Sequence, residues 1–142
     1  MVEISEVHPK PEEAENMPYA PAIHVSGACE LLFIAGATAS PLYHRHPHVP
    51  EEHILPVDIK DQTRRALENI KMVLDAKGLT WRNVVKITKY MTDMREAAEM
   101  YEVLGEHFGD WRPAGTLVAV NNLSAPGARV ELDMIAVMPA GR

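Results

Sequence analysis

One stretch of the chain carries apolar positions at helical spacing more clearly than any other. Ile59, Thr63, Ala66, Leu67, Ile70, Val73 and Leu74 fall on one stripe of a 3.6-residue period. Asp58 is placed to cap that stripe, and Asp61 lies in its first turn, where the helix dipole favours a carboxylate. Lys77 lies in the last turn and Gly78 supplies the left-handed residue that commonly follows. The pattern predicts a helix over 58–77. A second helix is predicted over 95–108, with Ala97, Ala98, Tyr101 and Leu104 turned inward and Gly109-Asp110 as its stop.

The remaining apolar runs are shorter. Residues 22–25 read as a strand, Gly27 as a turn, and the run 31–35 as a buried strand ended by Gly36, so the two strands suggest a hairpin. Residues 83–91 are rich in β-branched side chains and read as another strand. Strands at 116–120 and 129–137 close the chain, with the turn Ser124-Ala125-Pro126-Gly127 between them. The order β-β-α-β-α-β-β predicts an α+β domain of two layers, a mixed sheet with two helices on one face. The other sheet face then needs cover of its own, which argues for an oligomer.

Two stretches break the periodicity. Residues 1–18, with Pro9, Pro11, Pro18 and the acidic run Glu12-Glu13-Ala14-Glu15, read as an irregular N-terminal arm. Residues 39–57 hold Pro41, Pro47, Pro50 and Pro56 together with His44, His46, His48 and His53. A connection this long within a compact domain is more often functional than not.

Composition narrows the classes. With 142 residues, 46% hydrophobic and 24% charged, the chain suits a single domain spanning 1–142 around one core and is not disordered. The net charge is −6 and no Lys/Arg cluster is long enough to track a phosphate backbone, so no nucleic-acid partner is expected. No apolar run approaches the ~20 residues of a membrane span, and the first residues lack a signal-peptide pattern. A cytoplasmic protein without a membrane partner is the expectation. Cys29 is the only cysteine, so no internal disulfide can form, and it reads as a small core or edge residue.

Candidate chemistry is spread over several segments. In the last strand Arg129, Glu131 and Asp133 share one face, and Val130, Leu132, Met134 and Ala136 the other. The charged face is either solvated and salt-bridged or a cleft whose carboxylate orients water or takes a proton. Carboxylates at i and i+2 raise each other's pKa when close, an effect Arg129 would offset. His44, His46 and His48 would project to one side of an extended segment, as a metal site requires, but Pro47 interrupts them. A polar loop, a substrate contact and a metal site are all open there; no metal is assigned. The chain has no Gly-rich phosphate loop and no C-x-x-C pair. Trp81 and Trp111 read as core or interface anchors.

From about residue 19 to 137 the chain resembles the Rid family, the reactive intermediate deaminases once called L-PSP endoribonucleases. The resemblance is carried by Leu32-Phe33-Ile34-Ala35-Gly36, by the run from Asp58 to Ile70, and by Asn83-Val84-Val85-Lys86 through Thr92-Asp93-Met94. Arg112-Pro113-Ala114 and Val130-Glu131-Leu132-Asp133-Met134-Ile135-Ala136-Val137 complete it. It implies a chorismate-mutase-like fold, a homotrimer with clefts between subunits, and hydrolysis of enamines or imines to a ketoacid and ammonia without any cofactor. In such a site water attacks the C=N carbon, a carboxylate positions the water, and an arginine holds the substrate carboxylate in a bidentate pair.

Carried over by position, the resemblance implies Tyr19 and Glu131 as the catalytic pair. It places Gly36 and the backbone N–H of Leu117 against the substrate. Gly115, however, stands where the family's arginine belongs, which places the chain in an arginine-less subgroup, and Ala35 stands where a serine is common. The implied replacement anchor is Arg112, Arg129 or a loop histidine among His44, His46 and His48. The expected function is therefore a deaminase acting on C=N bonds with altered substrate anchoring. The alternative is a non-catalytic trimer that binds a small molecule or regulates.

Overall fold

Asp58 begins the first helix, α1 (Ile59–Ala76), by accepting the Lys60 N–H at 2.8 Å, a cap that contributes about 1 kcal/mol. Gly78, at φ 66°, turns the chain away after it. The computed structural model describes residues 1–141. Ala66, Leu67, Ile70 and Leu74 of α1 are buried, as their spacing predicts. The second helix, α2 (Ala97–Phe108), follows a 3₁₀ turn at Met94–Glu96, which Asp93 caps by accepting the Arg95 N–H. Its buried stripe is Met100, Val103, Leu104 and Phe108, not the expected set: Ala98 is exposed and Tyr101 only half-buried. Rotating the helix toward its larger side chains buries more apolar surface than burying alanines would.

The strands are β1 (Glu3–Val7), β2 (Ala22–Ser26), β3 (Cys29–Ala37), β4 (Val84–Met91), β5 (Ala114–Ala119) and β6 (Val130–Pro139). Two expectations are corrected. The segment 1–18 is not irregular throughout, because β1 pairs antiparallel with β2 and Pro11–Asn16 forms a 3₁₀ turn. Ile4 and Ile23 pack against the core from this two-stranded ribbon, and the alternation that places them is masked in sequence by polar neighbours. Nor do β2 and β3 form a hairpin; Gly27, at φ 94°, instead passes the chain from the ribbon into a separate sheet. The order therefore has one strand more than predicted.

The second sheet runs β3-β6-β4-β5, with β4 and β5 parallel and the other pairs antiparallel, so it is mixed as expected. Ile34, Ile87, Met91, Leu132 and Met134 point to one face and form a single core with both helices. Trp111 pins the segment after α2 to the start of β4, its buried Nε1–H donating to Val84 O at 2.8 Å. Trp81 packs against Phe108 with ring centroids 5.0 Å apart. The opposite face, with Phe33 71% and Leu31 54% exposed, has no layer over it among the described residues. No helix among them is long and apolar enough to cross a membrane.

Candidate functional site

Strand alternation turns Ile87, Lys89 and Met91 of β4 toward the helices, which puts a lysine into the apolar layer. Lys89 is 2% exposed. The register explains how it fits. Ile87 pairs with Gly115 and Lys89 with Leu117 on β5, and a Cβ on Gly115 would fall 2.6 Å from Lys89 Nζ. The long side chain thus fills the room that a glycine leaves. Its ammonium lies 5.2 Å from the Tyr101 ring centroid and has no carboxylate partner among the described residues. Burial, with a smaller contribution from Lys86, lowers its pKa to about 8.

Lys89 is in the wall of a cavity of about 180 Å³ that Tyr19, Tyr101, Phe108, Trp111 and Arg112 also line. Tyr19 arrives from the segment between the N-terminal 3₁₀ turn and β2. Burial raises the Tyr101 phenol, and the nearby Tyr19 adds to the effect. Arg112 donates to Ala14 O at 3.3 Å, tying the cavity's outer wall to the same N-terminal segment. Just past β5 the Val120 N–H donates to Met91 O at 2.9 Å, so the alternation along the strand turns the Leu117 N–H toward the outer edge of the sheet.

The carboxylates lie on the other sheet face. Glu131 pairs with Tyr90 across β4 and β6, and the Tyr90 hydroxyl donates to Asp133 Oδ2 at 3.1 Å. Burial raises the Glu131 carboxyl, and the Asp133 charge raises it further. The register of β3 shifts between Ile34 and Ala37, which seats Gly36 against Glu131; a Cβ at residue 36 would overlap the Glu131 carboxylate.

The structure therefore divides the expected site residues into separate groups. Tyr19, Arg112, Gly115 and Leu117 gather on the helix side and outer edge of the sheet, whereas Glu131 and Gly36 meet on its open face. Arg129 joins neither group. Its guanidinium donates to both Glu96 oxygens at 2.8 and 3.0 Å and to Val57 O, and its N–H to Gln62 Oε1. It bridges the starts of the two helices, and so neither offsets the Glu131–Asp133 pair nor is free to anchor a substrate. His44, His46 and His48 cluster with His53 and share no residue with the cavity lining. The space at Gly115 is filled by Lys89, not by the histidine loop.

Lys89 and His53 escaped the sequence reading of the site. The signal for Lys89 was a lysine at the inward phase of a strand, between Ile87 and Met91, facing a glycine on the neighbouring strand. His53 lies outside the alternating triplet, and only the fold of the loop brings it back.

Comparison with known proteins places these features in context. A family profile described as "Endoribonuclease L-PSP" matches residues 11–138. A RutC family protein of Pyrococcus horikoshii is 41% identical over 120 residues, covering 84% of this chain and 86% of the relative. The "Putative reactive intermediate deaminase TdcF" of Escherichia coli is 32% identical over 97 residues, covering 66% and 74%. The crystal structure of Escherichia coli TdcF with bound serine aligns with a TM-score of 0.65 at 27% identity, covering 86% of this chain and 89% of that one.

Proposed function

The chain belongs to the endoribonuclease L-PSP family, for which a reactive intermediate deaminase-type role is supported, and on that premise we propose that it hydrolyses the C=N bond of a small imine or enamine derived from an amino acid, with Lys89 holding the substrate carboxylate. The observation that carries this reading is the Lys89 ammonium, free of any carboxylate among the described residues and filling the space beside Gly115. A buried cation without a partner is costly, and an anionic ligand offsets that cost. A lysine is a point charge where arginine is a planar fork, so it constrains the carboxylate less and admits a wider range of substrates. The cavity, at about 180 Å³, falls below the ~300–1,000 Å³ of drug-sized sites and favours a small ligand.

The chemistry needs no cofactor. Water adds to the imine carbon while its proton passes to Glu131. Glu131 passes that proton to nitrogen, giving a carbinolamine. It then takes the carbinolamine hydroxyl proton and delivers it to the amino group as the C–N bond breaks, and a ketone and ammonia leave. A carboxyl with a raised pKa suits both transfers. Tyr19 hydrogen-bonds the substrate, and Gly36 keeps the space at the Glu131 carboxylate open. Glu131 and Tyr19 occupy different faces of one sheet, so the complete site takes one group from each of two copies. A cytoplasmic homotrimer with chorismate-mutase-like subunits and clefts between them meets this need, and the exposed Leu31 and Phe33 supply apolar surface for the contact.

The test is ammonia release from 2-iminopropionate generated in situ by an amino-acid oxidase, with aminomuconate-type substrates in parallel. Wild-type protein accelerates release, Glu131→Ala abolishes the acceleration, and Lys89→Met raises KM. Unchanged turnover in Glu131→Ala sinks the assignment. Gly115, standing where the family resemblance implies an arginine, favours a second reading, a trimer that binds a small carboxylate without turning it over. Thermal stabilisation by 2-oxobutyrate with no ammonia release from any substrate selects it.

A further inference from the structure

We propose that His44, His46, His48 and His53 form a binding site for a divalent transition-metal ion of the zinc type. The loop over 39–57 folds so that one ring nitrogen from each of His44, His46 and His48 lies within 4.8 Å of the others. His53 closes the group, with ring centroids 4.9 Å from His44 and 4.5 Å from His48. A tetrahedral zinc site with Zn–N bonds of about 2.0–2.1 Å holds its ligand atoms about 3.3 Å apart, so side-chain rotation completes the geometry without moving the backbone far.

Two of the four rings are already oriented as ligands. His44 Nδ1 lies 2.7 Å from Pro41 O. A carbonyl only accepts, so the proton sits on Nδ1 and the Nε2 lone pair is left bare. His53 Nδ1 lies 2.7 Å from the Ser40 hydroxyl, and its Nε2 is buried with no hydrogen-bond partner among the described residues, in a residue only 8% exposed. Leaving a buried polar nitrogen unpaired costs stability, and a bound cation removes that cost. Ligating histidines ordinarily hold their second nitrogen on a carbonyl or another polar group, as these two do. Asn69 fixes the base of the loop on α1 by donating to Thr38 O and Ser40 O at 3.0 and 2.7 Å.

The donor set defines the class of ion. Four imidazoles suit zinc, cobalt, nickel or copper and do not suit magnesium or calcium, which take oxygen ligands. Glu52, a carboxylate of the same loop, accepts the Arg45 N–H at 3.0 Å and is paired with the Arg45 side chain. The site shares no residue with the Tyr19–Lys89 cavity, so it stands whether or not the deaminase reading does.

The experiment uses the full chain without a histidine tag, stripped with chelator and titrated with zinc chloride by calorimetry. Cobalt is added in parallel and followed by its visible spectrum. The expected result is one ion per chain, a rise in Tm with zinc but not magnesium, and a tetrahedral cobalt spectrum. His48→Asn and His53→Gln each weaken zinc binding about tenfold or more. Because His53 is buried and its variant can misfold, the exposed His46→Asn serves as a second probe and weakens binding as well. No zinc binding by the wild-type chain, or binding unchanged in His46→Asn and His48→Asn, overturns the proposal.

Discussion

Lys89 and Gly115 share one space across neighbouring strands: the lysine Nζ lies 2.6 Å from where a Cβ on the glycine would begin. Gly115→Arg therefore places a second cation against the first and forces Lys89 out of its seat. The variant is expected to lose about 1–3 kcal/mol of stability, the range for overpacked sites, and Lys89→Met in the same chain to recover part of the loss. Urea unfolding of the two single variants and the double variant measures the coupling, which is zero if the residues are independent.

Lys89 also makes stability depend on pH. Its pKa falls from 10.5 in the unfolded chain to about 8 in the fold. Below about 8 both states hold the proton and the fold bears the whole cost of burying it. Between about 8 and 10.5 the unfolded chain binds more protons, so stability rises with pH. The full difference is about 3 kcal/mol. Lys89→Met is expected to be the more stable chain at pH 7, with the gap closing as pH approaches 10.5. A gap that stays constant from pH 7 to 10 counts against the burial of a charged amine.

The raised Glu131 carboxyl leads to a different test. Asp133 contributes to that shift, second to burial. Asp133→Asn removes the neighbouring charge and lowers the Glu131 pKa. If Glu131 must be ionised to take a proton from water, the acid limb of kcat/KM moves to lower pH in the variant. An acid limb that does not move assigns it to some other group.

Arg129→Ala is expected to act on stability and not on the substrate. The arginine links Glu96, Val57 O and Gln62 at the starts of the two helices, in a partly buried bidentate pair. Its loss costs about 1 kcal/mol or somewhat more. Thermal unfolding should show a lower Tm while KM for any accepted substrate stays within error.

Phe33 is 71% exposed on the open sheet face, two residues along the strand from Leu31. Phe33→Glu places a charge in the apolar surface proposed to lie between copies. Native mass measurement at micromolar concentration is expected to find a trimer in the wild type and monomers in the variant. A wild-type monomer contradicts the assembly and, with it, a site shared between copies.

The parts of this fold that the sequence foretells are those whose pattern is local. The stripe from Ile59 to Leu74, the Asp58 cap and the alternation of Val130, Leu132 and Met134 against Glu131 and Asp133 all appear as predicted, because each follows from the period of its own element. The failures concern relationships between elements. Nothing within 22–35 says that β2 prefers β1 to β3, since both strands are compatible with a tight turn at Gly27. Arg129 lies in sequence phase with Glu131, yet it precedes β6, and its guanidinium is drawn to Glu96 at a helix start. Gly115 is visible in the sequence as a glycine where the family resemblance leads one to expect an arginine, but Lys89, which fills the space beside it, emerges only when the parallel register of β4 and β5 is known. The histidine loop was legible as a concentration of one side chain and illegible as a shape.

Two prolines give the Tyr19 segment a property that reaches beyond its contacts. Pro18 and Pro21 bracket the tyrosine, and the first of them is itself part of the cavity wall. Each fixes a backbone dihedral that a free chain would otherwise explore, so this stretch surrenders less freedom on taking its place. A ligand entering the cavity meets a wall that is already composed and does not spend its affinity on ordering it. Pro21 is not part of that wall, so Pro21→Ala would leave the cavity lining intact and still weaken binding, through the added freedom of the main chain and not through a lost contact.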